Sequence, residues 1–301
     1  MYGFLFAGQG AQYVGMGKDL YDSFPESRAI FDQAENILGF ELKRRCFEGP
    51  EDLLKLTIIS QPAILTVSIA ALEAFKKRIE IKPAYMAGLS LGEYTALVAA
   101  GSLSFEEGLR LVRKRAQIME EASLKHPGKM CAILDLPFDK IKEICFKSGA
   151  EIANINAPGQ IVISGEVKAV DMAKNLCLAN ASSRAIDLEV SGGFHSSLMS
   201  EAAGYLKVLL DNVSILPPLV PVVSNYTAEP QYEVSQIRKN LVSQIHSAVK
   251  WEESMRFMLS QGITKFFEFG PGKVLRGLMR RIEPNAQVIN IGKKEDILNL
   301  S

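Results

Sequence analysis

An α/β protein carrying a small inserted α+β subdomain is what the sequence predicts, on three observations. Strand and helix signals alternate in the first part, a β-α-β-β-α-β series fills the middle, and α/β texture resumes afterwards. The apolar run 4–7 reads as a strand that ends in Gly8-Gln9-Gly10. Ile30, Phe31, Ala34, Ile37 and Leu38 then keep a 3.6-residue period, the mark of a helix with one buried face. A second helix is expected to open at Ser60 and Pro62, because proline is tolerated in a first turn. Residues 84–87 form a short apolar run and 93–100 a helix-forming stretch, with Gly88-Leu89-Ser90-Leu91-Gly92 between them. Ser104-Phe105-Glu106-Glu107 is a capping box, and its helix runs to about Ala122. From about Lys129, residues 130–134, 141–146, 152–155, 161–164, 167–179 and 184–190 read in turn as strand, helix, strand, strand, helix, strand. That order is the split β-α-β of ferredoxin-like folds, and Asn156-Ala157-Pro158-Gly159 supplies the turn between its middle strands. After Gly192-Gly193, residues 198–210 are helical, and 220–224 and 265–269 are strands, the last ended by Gly270-Pro271-Gly272.

The bulk composition narrows the function classes. With 34 basic against 34 acidic residues among 301, the chain lacks the net positive charge that holds nucleic acid or an anionic membrane. Its most apolar stretch, 62–75, is broken by Glu73 and falls short of the ~18 residues a membrane span needs. Residues 1–7 read as a strand, so no signal peptide is expected. Cys46, Cys131, Cys145 and Cys177 show neither C-x-x-C spacing nor the density of a stapled secreted domain, which points to free thiols in a reducing cytoplasm. Three histidines without H-x-x-H spacing argue against a zinc site, and no metal or cofactor is expected.

The chemistry begins at Ser90. A G-x-S-x-G turn between a strand and a helix lifts a serine hydroxyl above the strand ends while the helix start aims its amides at developing negative charge. An imidazole base must come from His126, His195 or His246. His195 is the best placed, in the Gly192-Gly193-Phe194 turn just before a helix, whose start disfavours imidazolium. The other two fit surface or capping roles. On the helix opened by Ser104, Arg115 falls inside the apolar arc of Leu109, Leu111, Val112, Ala116, Ile118 and Met119. A guanidinium directed inward must meet a carboxylate or a polar cavity. Two readings stay open on periodicity alone: a buried ion pair with Glu93 or Asp187, or a clamp for a substrate carboxylate.

Taken in order, residues 6–12 (FAGQGAQ), 88–97 (GLSLGEYTAL), Arg115, 154–165 (NINAPGQIVISG), Gly193-Phe194-His195, 244–251 and Phe269-Gly270-Pro271-Gly272 resemble the malonyl-CoA:acyl-carrier-protein transacylase family, including the stand-alone acyltransferases of polyketide synthases. The resemblance covers nearly the whole chain. It implies a large α/β-hydrolase-like domain, residues 1–125 and 191–301, with a ferredoxin-like insert, 126–190. It implies Ser90 as the acylated nucleophile, His195 as the base and Arg115 as the malonyl clamp. The amides of Gln9 and Leu91 become the oxyanion hole, the Gln244 carbonyl orients His195 in place of the usual acid, and Asn156 lines the acyl or pantetheine channel. The implied substrates are malonyl-CoA and acyl carrier protein, and a monomer is expected.

Two positions depart from the family pattern. Leu89 stands where the family usually has histidine, which bears on acyl selectivity and on the fatty-acid or polyketide subgroup but not on the base. Ala116 replaces a common glycine after the clamp arginine, a small change on a helix. Phe194 resembles the malonyl-selective members, since a bulky neighbour leaves little room for an α-methyl branch. Lys273, Arg276, Arg280 and Arg281 cluster around the glycine turn and the following stretch, which reads either as a solvated face or as a docking patch for an acidic carrier protein. The rival readings are an acyl-thioester hydrolase using the same Ser-His pair and a catalytically silent synthase subunit.

Overall fold

In the computed structural model, which describes residues 1–180 and 182–300, the strands gather into two sheets. In chain order they are β1 (Tyr2–Phe6), β2 (Tyr85–Gly88), β3 (Gly128–Leu134), β4 (Glu151–Ala157), β5 (Gln160–Glu166), β6 (Arg184–Asp187), β7 (Val222–Val223), β8 (Pro230–Gln231), β9 (Lys265–Phe269) and β10 (Gln287–Ile291). The larger sheet runs β10-β9-β1-β2-β7-β8 and is parallel except for the last pair. Phe4, Leu5 and Phe6 of β1 are all buried, as expected of a central parallel strand covered on both faces. The loops leaving β1 and β2 at their carboxyl ends carry Gln9 and Ser90, the edge at which open α/β sheets bind ligands.

The smaller sheet, β4-β5-β3-β6, is antiparallel throughout and has the predicted ferredoxin-like order. Strand alternation gives it two different faces. Cys131, Ile133, Ile161 and Ile163 point toward Ile141, Cys145, Val170 and Cys177 of its two helices, Phe138–Ser148 and Val167–Ala179. Met130, Ala132 and Val162 point the other way and join the core of the large domain. Backbone bonds from Ile155 N to Val249 O (2.9 Å) and from Val249 N to Ala153 O (2.8 Å) stitch β4 to the large domain. All four cysteines are buried and free.

Several boundaries differ from the sequence reading, each for a physical reason. The second long helix spans Thr57–Lys76 and holds Pro62 inside it, so it opens before Ser60. Its side chains are buried except at Ile58, Ile59, Glu73 and Lys76, and tertiary packing outweighs the backbone bond that Pro62 cannot donate. At 20 residues it is long and apolar enough to cross a membrane by length and composition, contrary to the expectation from 62–75, yet it packs inside the protein. Strand β10 lies outside the sequence expectation, because Asn290 interrupts its apolar run; opposite it in register stands Glu268, whose carboxylate accepts the Asn290 side-chain N–H at 2.7 Å. At Ser104 the hydroxyl accepts the Glu107 N–H (3.1 Å) and donates to its carboxylate (3.0 Å), so the cap forms and its helix extends to Lys125.

Candidate active site

The turn at Ser90 exists because two glycines let backbones touch. A Cβ on Gly88 would lie 2.0 Å from the Gly92 carbonyl, and one on Gly92 would lie 2.2 Å from the Phe6 oxygen. Ser90 itself sits at φ 52°, ψ −102°, immediately before the Leu91–Ala99 helix. A non-glycine residue held there costs roughly 1–3 kcal/mol, so surrounding contacts must over-determine it. Its amide donates to Asn225 Oδ1 at 2.6 Å, while the Gly92 and Glu93 amides go to Leu89 O and Ser90 O. Among the described residues the Leu91 amide has no acceptor, and neither has that of Gln9.

His195 meets the serine. Its Nε2 lies 2.8 Å from Ser90 Oγ, and its Nδ1 lies 2.8 Å from the Gln244 carbonyl oxygen. A carbonyl only accepts, so Nδ1 carries the proton and Nε2 is left to accept from the serine hydroxyl. Burial, and after it the charge of Arg115, pushes the imidazole down to about 4, against the pull of the Gln244 carbonyl. The sequence points instead to a helix start as the influence that keeps the ring neutral. A 3₁₀ turn, Ser197–Met199, and then the Ser200–Asp211 helix follow His195, and burial supplies the main effect.

Arg115 is fully buried and reaches the same serine. Nη2 donates to Ser90 Oγ at 3.0 Å and to Gln244 Oε1 at 3.2 Å, Nη1 donates to Gln61 Oε1 at 2.9 Å, and the guanidinium lies 5.2 Å from the Tyr94 ring centre. Neither acid named as its ion-pair partner is one. Glu93 Oε1 and Oε2 accept from Gln231, Gln244 and the Asn225 amide, and Asp187 pairs with Lys129 and Lys174. Among the described residues no carboxylate pairs with Arg115, and its Nε has no partner at all. Burial lowers the guanidinium pKa and raises that of Glu93 to about 7, so each charge is costly where it stands.

These groups open onto a cavity of about 520 Å³ between the large domain and the smaller sheet. Ser90, His195, Gln9, Leu89, Phe194 and Asn156 line it, and the carbonyl Oδ1 of Asn156 is buried without a partner. Leu91, Arg115 and Gln244 stand directly behind that lining. A second cavity, of about 540 Å³ beside Phe138 and Arg256, receives none of the predicted site residues. Lys273, Arg276, Arg280 and Arg281 are exposed on and just before the Val274–Ile282 helix, whose first residue lies at the mouth of the Ser90 cavity. Sequence reasoning missed Gln61, which holds Arg115, and Asn225, and it met Glu93 only as an ion-pair partner. The single signal for Gln61 and Asn225 is that both are polar and fully buried, which a sequence does not display.

Comparison with known proteins identifies the family. The acyl transferase domain family matches residues 3–281. The malonyl CoA-acyl carrier protein transacylase of Bacillus subtilis (strain 168) is 46% identical over 299 residues, 98% of this chain and 94% of that protein. Among solved structures, a malonyl-transacylase in complex with its type II polyketide-synthase acyl-carrier protein superposes with a TM-score of 0.97 at 36% identity, covering 99% of this chain and 98% of that one. The malonyl CoA-acyl carrier protein transacylase of Clostridium perfringens gives 0.94 at 40% identity, covering 99% and 95%. With the fold and nearly the full length of the chain in agreement, the protein belongs to the malonyl-CoA:acyl-carrier-protein transacylase family.

Proposed function

We propose that the chain transfers a malonyl group from malonyl-CoA to the phosphopantetheine thiol of acyl carrier protein through a malonyl ester on Ser90. Ser90 gives its proton to His195 Nε2 as Oγ attacks the thioester carbonyl, and the oxyanion is received by the unengaged amides of Gln9 and Leu91. The C–S bond then breaks, and CoA leaves with the proton from the imidazolium. In the second half the pantetheine thiol gives its proton to His195, the thiolate attacks the ester, and Ser90 Oγ departs and recovers the proton. A ring that resists protonation in the free enzyme is a ready base, and once charged it is a strong acid toward the leaving group.

The observation that carries this reading is a buried, carboxylate-free guanidinium hydrogen-bonded to the nucleophile's own oxygen. The malonyl carboxylate would supply the missing counter-charge in a site where a charge-assisted contact is strong. Phe194 beside the ring favours unbranched malonyl, and Asn156 lines the path of the acyl or pantetheine chain. The exposed cations flanking the cavity mouth suit an acidic carrier protein. Four buried reduced thiols fit a cytoplasmic enzyme, and it works as a monomer, which its solution mass tests. The decisive experiment mixes the protein with malonyl-CoA, with and without carrier protein, and follows intact mass. A malonyl adduct on Ser90 that passes to the carrier supports transfer. Free malonate formed at the same rate in both mixtures would make it a hydrolase, the reading Arg115 disfavours, since a charge in the pocket does not serve neutral acyl chains. No adduct at all would revive the silent subunit.

A further inference from the structure

Strand β2 pairs with β7 in register only at Met86 and Val222. Beyond that pair one side chain bridges the two segments. Asn225, fully buried two residues beyond β7, accepts the Ser90 N–H at Oδ1 (2.6 Å) and donates from Nδ2 to Gly88 O (2.8 Å). It thus bonds the backbone groups on both sides of Leu89, as a neighbouring strand would. The two contacts have opposite polarity, so the carboxamide fits in only one orientation. Asn225 is itself fastened: its N–H donates to Glu93 Oε2 at 3.0 Å and its carbonyl accepts from Lys250 N at 2.8 Å.

We infer that Asn225 is a positioning residue for acyl transfer, whose carboxamide holds the 88–90 backbone in the strained turn that aims the Ser90 hydroxyl. The inference rests on Ser90 being the acylated group. It predicts that the polarity of this one amide matters as much as its presence. In Asn225→Asp one oxygen still accepts from Ser90 N, but the other faces Gly88 O, acceptor against acceptor. Protonating that second oxygen restores a donor. The charged and titratable groups around it are Glu93 from the Leu91–Ala99 helix, Arg115 behind Gln244, His195, and Lys250 at the head of the Trp251–Ser260 helix. Glu93, the nearest, together with burial favours the protonated acid.

The test is the rate of Ser90 malonylation by rapid quench and intact mass, with thermal melts of each variant. Asn225→Ala is expected to acylate about thirtyfold more slowly with KM for malonyl-CoA changed less than about threefold, the signature of a misaimed nucleophile rather than lost binding. Asn225→Asp is expected to be as slow near about pH 8 and to recover toward wild type as pH falls to about 6, a trend that general loss of structure does not produce. Acylation within about twofold of wild type in both variants, or an Asn225→Asp defect equal at every pH, overturns the inference. So does failure of both variants to melt cooperatively, which would assign Asn225 to the fold at large. A wild-type Ser90 that takes no label overturns the transferase reading and this inference with it; a labelled wild type with unchanged variants overturns the inference alone.

Discussion

The two walls of the Ser90 cavity are built on different principles. On the large-domain side Ser90, His195, Arg115, Gln61, Gln244, Glu93 and Asn225 form one continuous hydrogen-bonded assembly, in which Arg115 Nε alone lacks an acceptor. On the facing side the smaller sheet presents Met130, Ala132 and Val162, with Asn154 and Asn156 among them and Asn156 Oδ1 unengaged. The first wall leaves almost no freedom, because a buried polar network tolerates no unpaired member cheaply. The second has room to vary. The reacting groups are therefore held by one body, while the other contributes mainly apolar lining to the cavity.

Substitutions can break or sharpen that contrast, and their effects should descend from wall to wall. Ser90→Ala should remove the malonyl adduct and lower transfer by on the order of 10⁴-fold or more, read by intact mass and by carrier acylation. His195→Ala should cost about 10²–10⁴-fold in the same assay. In the wild type, acylation should stay level as pH falls through the ordinary histidine range of 6.5 and decline only toward about 4, because the neutral ring is the base and burial delays its protonation. A decline centred near 6.5 instead would mean an open, hydrated site.

Arg115→Ala should cost malonyl transfer roughly 30–150-fold more than acetyl transfer, since a charge-assisted contact of about 2–3 kcal/mol is absent for a neutral acyl group. Equal losses for the two substrates would remove the clamp. On the other wall, Asn156→Ala should raise KM for malonyl-CoA only a few-fold, and its melting temperature should hold, because the oxygen deleted satisfies nothing and its burial costs ~1–3 kcal/mol. The smallest effect belongs to the surface. Reversing Lys273, Arg276 and Arg280 to glutamate should weaken KM for carrier protein several-fold in a salt-dependent way and leave malonylation of Ser90 by malonyl-CoA untouched. Arg281 is a poorer choice, for it lies 3.5 Å from Asp135 of the smaller sheet.

The same contrast explains what the sequence could show. Ser90, His195 and Arg115 are legible because each breaks a local rule: a serine between close-packed glycines, a histidine in a glycine turn, a cation on an apolar arc. Gln244 and the oxyanion amides of Gln9 and Leu91 come through family resemblance, because backbone groups leave no residue-type signal. Asn225, Gln61 and Glu93 obey their local surroundings and become meaningful only when strands and helices far apart in sequence meet. Asn225 and Ser90, for instance, are 135 residues apart. The fold divides in the same way. The ferredoxin-like insert is readable from alternation alone, whereas β10 and the start of the Thr57–Lys76 helix depend on partners that a window of sequence does not contain.

That helix carries a consequence for how the protein is made. It is apolar on nearly every face, and part of its covering comes from the far end of the chain, where Phe267 and Phe269 of β9 press their rings on Phe75 at centroid distances of 5.1 and 5.2 Å. During synthesis it leaves the ribosome long before β9 exists, so the growing polypeptide must shelter an oily rod through most of translation. Chaperone demand during expression, rather than the melting point of the finished enzyme, is where substitutions at Phe75 or in β9 should first be felt.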